Sequence, residues 1–417
     1  MSSNSESGKH IRLLRTLSVA LWVLTAGAAY LFSFLPLFDS SPRTLLNSDR
    51  VPLLRWDAFY FAHIAQEGYV YEHEWAFLPG APMTMRAMAY ALEAVGLKRL
   101  YDFTDIEFLL LSGALAACLA GSTVTLYRLT LHHLQSPTIA LISSLLSLLP
   151  SSPATLRLAS YSEPFVTYLS YQGMLYCARS RWLLATCCFS LAAIFRSNGF
   201  MLGGFILWGL LIEPFLARRP ISPVNLAYAT ALTSVVLAPF VAYQYAAYRA
   251  FCELPATPAP WCARTPPVIY SYVQGKYWDV GFLRYWTLQQ LPNFLIASPV
   301  LALLLSFAWF YLTRALFPRL RALLAGSPKA ASSPSSSPFL SPTLAPHAIH
   351  ALVLTLALLF AAHTQIVLRL AASMPFTYWG AAWLVVEHPP WGRRWVAWSV
   401  VWGAVSLVLW TTFLPPA

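Results

Sequence analysis

The chain has 417 residues, 58% of them hydrophobic and only 10% charged, with a mean hydropathy of +0.57. A water-soluble domain carries about 25% charged residues, so this composition excludes one. The formal net charge of +11 does not point to nucleic acid, because membrane proteins gather Lys and Arg in their cytoplasmic loops.

Six stretches, 16–38, 108–127, 137–156, 220–248, 285–313 and 395–417, contain no Asp, Glu, Lys or Arg, and a bilayer is crossed by about 20 apolar residues. The first follows Lys9, Arg12 and Arg15 and has no small-residue cleavage site behind it. It therefore predicts a retained anchor with a cytoplasmic N-terminus. Alternation from there delivers a polar first loop, 39–106, to the far side. The chain returns through 108–127 to Arg128, His132 and His133, and leaves again through 137–156 to Ser160-Tyr161-Ser162-Glu163. Segments 165–178, 182–195 and 200–212 then alternate Arg179 and Arg181, Arg196-Ser197-Asn198, and Arg218 with Arg219. Segment 226–248 exits to a long far-side loop, 249–293, and 294–313 returns to a basic, Ser/Pro-rich cytoplasmic linker, 314–347. Its stretch from Gly326 to His347 is too polar and Pro-rich to bury a core. Segments 351–368, 375–386 and 396–414 complete an all-α polytopic membrane protein of about eleven transmembrane helices, a single integral-membrane domain over 1–417.

Chemistry-bearing residues collect on the far side. The first loop holds Trp56, Asp57, His63, Glu67, Tyr69, Glu72, His73 and Glu74, and later turns add Glu163, Arg196, Asn198, Gln274, Lys276 and Arg369. Charges at the edge of a span are costly and are functional candidates. Most of the aromatic residues read equally well as an interfacial belt. Asp57 heads the apolar run 58–64, where a carboxylate serves either as a helix N-cap or as a catalytic group, and the residues alone leave both readings standing. A carboxylate at a membrane surface can take a proton from a sugar hydroxyl attacking an anomeric carbon. Cations such as Arg196, Lys276 and Arg369 can stabilise a departing lipid phosphate. A proton-coupled transporter or flippase of a lipid-linked sugar also uses membrane-embedded acids, but it is expected to show paired repeats. No such symmetry is seen. A non-catalytic scaffold is the third reading. No metal-ligand spacing is present. Cys118, Cys177, Cys187 and Cys188 lie in apolar spans, as small buried residues do. Cys252 and Cys262 share the long loop and are disulfide candidates in an oxidising lumen.

Five stretches carry a family resemblance: RWDAFYFAHIAQEGYVYEHEWAFLPGAP from Arg55, YSEPF with Gly173 downstream, RSNG from Arg196, PWCARTPPVIYSYVQGKYWDVGFLRYWTLQQLPNFLIASP from Pro260, and QIVLRLAASMPFTYW from Gln365. Together, in order, they resemble the GPI mannosyltransferase 2 family; the N-terminal tail and the Ser/Pro linker do not contribute. The resemblance implies a GT-C type glycosyltransferase of the endoplasmic reticulum membrane that adds the second, α-1,6-linked mannose to a GPI-precursor glycolipid. It implies dolichyl-phosphate mannose as donor substrate, a lumenal active site, inversion, and an accessory membrane subunit; no cofactor is expected, and a divalent metal is not indicated by the residues. By position, the acidic residue of the first lumenal loop regarded as catalytic in that class is Asp57. The substrate-binding residues expected around it are Trp56, His63, Glu67, Tyr69, Glu163, Arg196, Asn198, Gln274, Lys276 and Arg369.

Overall fold

A computed structural model describes residues 2–46, 51–100, 103–325 and 337–415, and every regular element among them is helical. The principal helices are α1 (Ser2–Phe32), α2 (Ala58–Glu67), α3 (Gly80–Ala94), α4 (Asp105–Leu119), α5 (Thr123–Leu134), α6 (Pro137–Ser147), α7 (Glu163–Ala178) and α8 (Trp182–Phe195). They continue with α9 (Pro223–Tyr248), α10 (Ile269–Tyr277), α11 (Leu291–Tyr311), α12 (Ala345–Phe360), α13 (Pro375–Glu387) and α14 (Pro389–Thr411). Helical runs at Glu6–Phe32, Asp105–Leu134, Ser197–Leu216, Pro223–Glu253, Leu288–Leu324 and Pro342–Phe360 are long and apolar enough to cross a membrane. The molecule is a multi-pass membrane protein. The eleven expected spans are not all of that kind: Pro137–Ser147 and Trp182–Phe195 are shorter apolar helices.

Local chemistry sets the helix starts. Thr104 accepts from the Glu107 backbone N–H while the Glu107 carboxylate accepts from Thr104 N–H, a reciprocal cap that opens α4. Ser136 and Ser222 cap α6 and α9, each followed by a proline at the first helical position, where its missing N–H costs nothing. At the α7–α8 crossing a Cβ on Gly173 would stand 2.3 Å from the Phe189 ring. Only glycine lets these two helices approach so closely.

The main core lies between the helices and is built from side chains such as Tyr171, Phe189, Phe307, Phe376 and Trp379. A second cluster roofs one end of the bundle: Leu54, Ala58, Phe61 and Met85 of the first loop pack with Leu110, Tyr161, Leu407 and Trp410. A third joins the two long loops, with Trp75 and Leu78 against Tyr243, Trp261, Ile269 and Val273. Cys252 and Cys262 are disulfide-bonded beside it, with Cα atoms 5.7 Å apart.

The linker expected at 314–347 is shorter in the structure. Residues up to Leu324 complete a continuous helical run from Leu288, and Phe339 and Leu344 are fully buried in the main core. Apolar residues embedded in the polar sequence anchor both flanks, and 326–336 lie outside the described residues.

Candidate functional site

The site begins with the residue before Trp56. Arg55 is fully buried, and its guanidinium donates to the carbonyl oxygens of Val51, Leu54 and Thr411 at 2.9–3.2 Å. Trp410 Nε1 donates to Pro52 O at 2.8 Å. The end of α14 thus holds the segment leading to Asp57. Trp56 has φ 51°, a left-handed conformation unusual for a bulky residue, and its ring stacks on Phe413 at 5.2 Å. The turn ends at Asp57, whose backbone N–H donates to Tyr161 Oη at 2.9 Å. Tyr161 in turn donates to Arg55 O at 3.2 Å. Burial, then the nearby Asp57 charge, holds the Tyr161 phenol well above its ordinary pKa, so it remains a neutral donor.

Asp57 occupies the N-cap position of α2, yet its side chain makes no capping hydrogen bond. The carboxylate instead meets Arg369, with Oδ2 2.8 Å from Nη1. Arg369 Nε lies 3.7 Å from Glu163 Oε1, and Arg196 Nη1 donates to the same oxygen at 2.7 Å. Four charges from four separate chain segments form one row: Asp57, Arg369, Glu163, Arg196. Their sum is zero. The Glu163 side chain is 2% exposed and that of Arg369 13%, whereas that of Asp57 is 31% exposed. The Arg196 side chain at the other end is 21% exposed, so the row is most buried at Glu163 and most open at Asp57. Burial opposes the charge on Arg369, but the Asp57 and Glu163 carboxylates outweigh it and hold its pKa above the ordinary range.

Each member has a structural reason for its place. Glu163 is the first residue of α7, with Pro164 next in the helix. Arg196 leaves α8 in extended conformation, and Gly199 after it lies so near α8 that a Cβ would stand 2.6 Å from Ala193 N. Arg369 sits on a short turn that Ser151 and Tyr171 tie to the bundle by donating to Leu368 O and Ala372 O.

The other expected site residues are distributed differently. Trp56 flanks Asp57 and is 37% exposed. Asn198 is half-buried in the turn after Arg196. His63 Nδ1 lies 2.5 Å from Glu74 Oε1, and Glu74 Oε2 accepts from the backbone of Val70 and Tyr71, so His63 is engaged in shaping the first loop. Tyr69 donates to Phe77 O at 2.7 Å and stacks on Trp75. Glu67 is exposed at the far end of α2, ten helical steps or about 15 Å from Asp57. Lys276 pairs with Glu72 at 2.7 Å, and Gln274 is half-buried on the same helix. Of the far-side charges singled out from sequence, only Glu163, Arg196 and Arg369 join Asp57.

Sequence reasoning missed Arg55, Tyr161 and Phe413 as supports of the site. The adjacency of Arg55 to Trp56-Asp57 was a usable signal for the first. Tyr161 opens the YSEPF stretch, but its supporting role is not readable there because it acts across 104 residues, and nothing local marks Phe413, which acts across most of the chain.

Chemically, the arrangement offers a fixed carboxylate beside one guanidinium group, that of Arg369, with Arg196 behind it across Glu163. Arg369 engages one oxygen of Asp57, and the other takes no hydrogen bond among the described residues. Arg369 Nε is buried without a hydrogen-bond partner there, so this guanidinium has donor capacity to spare.

The mannosyltransferase (PIG-V) family matches residues 10–417. The chain is 35% identical over 408 residues to the GPI mannosyltransferase 2 of Cryptococcus neoformans, covering 92% of this chain and 93% of that protein. It is 34% identical to the GPI alpha-1,6-mannosyltransferase 2 of Rattus norvegicus and 32% to that of Homo sapiens, in each case over 81% of this chain and 74% of the other. Among solved structures it is similar to the Archaeoglobus fulgidus oligosaccharyltransferase, with a TM-score of 0.46 and 13% identity over 95% of this chain and 53% of that one. With a match that takes in the Arg-Trp-Asp turn, the Glu163 and Arg196 segments and the turn bearing Arg369, the chain belongs to the mannosyltransferase (PIG-V) family.

Proposed function

We propose that this mannosyltransferase adds the second mannose, in α-1,6 linkage, to a GPI-precursor glycolipid at the lumenal face of the endoplasmic reticulum membrane. Dolichyl-phosphate mannose is the donor and Asp57 the general base. The observation that carries the reading is the Asp57 carboxylate, released from helix capping, oriented by Arg369 and partly exposed. The chain's likeness to the GPI alpha-1,6-mannosyltransferase 2 proteins supports the acceptor and the linkage.

In this mechanism Asp57 takes the proton of the acceptor 6-hydroxyl as its oxygen bonds to the anomeric carbon of the donor mannose. The bond from that carbon to the phosphate oxygen breaks, and the lipid phosphate leaves with the electron pair. No general acid is required. Arg369 and Arg196, which meet at the Glu163 carboxylate, are the cations that stabilise the developing phosphate charge in this reading, and the planar guanidinium suits two phosphate oxygens at once. Attack opposite the leaving group inverts a β donor to an α product, so one carboxylate suffices.

The test is donor-dependent mannosyl transfer by the purified enzyme in detergent. Asp57→Asn keeps the shape of the side chain and removes the base. We expect at least a roughly hundredfold loss of rate at unchanged protein level. A well-folded variant working near the wild-type rate rejects Asp57 as the base.

A further inference from the structure

The long loop 249–293 builds a concave surface apart from the Asp57 row. A cavity of about 700 Å³ is lined by Arg264, Tyr272, Lys276, Phe282 and Arg284, together with small or apolar residues, and no acid lines it. Tyr272 gathers two of the three cations. Arg264 Cζ stands 4.9 Å from its ring centroid and Lys276 Nζ 5.2 Å. These two charges thus lie within about 10 Å of each other, a separation at which salt does not fully screen repulsion. Lys276 pairs with Glu72 at 2.7 Å and Arg284 with Asp279 at 3.1 Å, whereas Arg264 has no ion pair among the described residues. Both pairs are exposed at their basic ends, and such pairs contribute little, so they yield readily to a stronger anion.

The surroundings narrow the anion. Phe282, in the cavity wall, is 75% exposed, and Trp286 and Leu288 just beyond it are 50% and 91% exposed. Cations beside exposed aromatic and aliphatic side chains match an amphiphile whose phosphate and chains sit at a membrane surface. The cavity is also coupled to the loop that carries Asp57. Lys276 and Tyr277 both donate to Glu72, and Trp278 meets Tyr60 edge-on at 6.1 Å, three residues along from Asp57. None of the side chains lining it bonds to Asp57, Glu163, Arg196 or Arg369 among the described residues, so a phosphate held there is not the one that leaves.

From this we infer that the cavity binds the phosphodiester of the acceptor glycolipid, fixing its lipid end while its glycan reaches Asp57. The inference rests on the acceptor reading above. The same chemistry could be supplied by bulk phospholipid headgroups, and the experiment separates the two sources.

The double variant Arg264→Gln/Arg284→Gln is assayed as full-length enzyme in phosphatidylcholine nanodiscs. The acceptor KM rises about tenfold or more, since two charge-assisted contacts are lost, while kcat and the donor KM stay within about twofold, because the double variant leaves the Asp57 row intact. Arg264→Lys restores part of the loss. In parallel, binding of short-chain phosphatidylinositol is compared with that of its phosphate-free analogue, using Asp57→Asn enzyme. Preference for the phosphate-bearing probe persists there and disappears in the double variant. An unchanged acceptor KM overturns the inference. So does an effect that appears only when anionic phospholipid is added to the disc, which assigns the cavity to bulk headgroups. Because the binding comparison needs no turnover, failure of Asp57 as the base leaves the result readable on its own.

Discussion

Asp57 and Arg369 are 312 residues apart in the chain and their side chains meet at 2.8 Å. The same guanidinium approaches Glu163, which in turn holds Arg196. An isolated carboxylate at a membrane edge thereby becomes the open end of a charge-balanced row. Asp57 does not cap α2 because its backbone is already helical, φ −59° and ψ −17°, whereas a capping side chain reaches the first turn from an extended residue.

Replacing Arg369 with Lys keeps the charge but not the fork that reaches both Asp57 and Glu163. We expect kcat to fall at least about tenfold, with Asp57 less well oriented. Steady-state kinetics with varied donor for Arg369→Lys and Arg196→Lys check this. If neither substitution alters the dependence of rate on donor concentration, neither arginine binds the donor phosphate.

Glu163→Gln leaves two guanidinium groups facing a buried site without their shared carboxylate. Removing one partner of a buried ion pair costs about 3 kcal/mol or more. Thermal unfolding in detergent is expected to show a lowered midpoint. The further substitution Arg196→Gln in that background should cost much less than it does alone, because its partner is already gone. Additive losses would mean that the two residues are not coupled.

Tyr161→Phe removes the hydroxyl that accepts from Asp57 N–H and donates to Arg55 O. Leaving such buried groups unpaired costs about 1–3 kcal/mol. The outcome to look for is a lower kcat with little change in acceptor KM, since the change lies beneath Asp57. A rise confined to acceptor KM would instead make the phenol a contact to the sugar.

Opening the Cys252–Cys262 bond by Cys252→Ser frees a loop of short span, with a sequence separation of ten. The loss is about 3 kcal/mol at most. It should fall on the cluster around Trp261 and Val273, read as faster amide exchange in 249–277 with little change in α7 or α8. Uniform protection in both forms would show that the bond contributes nothing to the loop.

Placement in the membrane is checked with single cysteines at Glu67 and Arg219, both exposed. An impermeant thiol reagent should reach Glu67→Cys from the lumenal side alone and Arg219→Cys from the cytosolic side alone. Labelling of both from one side rejects the proposed orientation.

What the sequence determined by itself is what short-range chemistry decides. Apolar runs of bilayer length set the multi-pass helical class. Thr104 with Glu107, Ser136-Pro137 and Ser222-Pro223 set helix starts, because caps are satisfied within one turn. The concentration of charge in the loops marked Asp57, Glu163, Arg196 and Arg369 as candidates. Tertiary structure alone decided which charge meets which. His63, Lys276 and Arg369 are all basic groups beside an aromatic-rich loop, yet His63 goes to Glu74, Lys276 to Glu72 and only Arg369 to Asp57. An ion pair depends on distances of a few ångströms, and in this chain those distances are set by how α14, the Ser160–Glu163 turn and the turn after α12 pack at one end of the bundle. The same holds for the linker flanks, where Phe339 and Leu344 are buried despite polar neighbours in sequence: composition measures a segment's average, whereas burial is won by single side chains that find a cavity in the core.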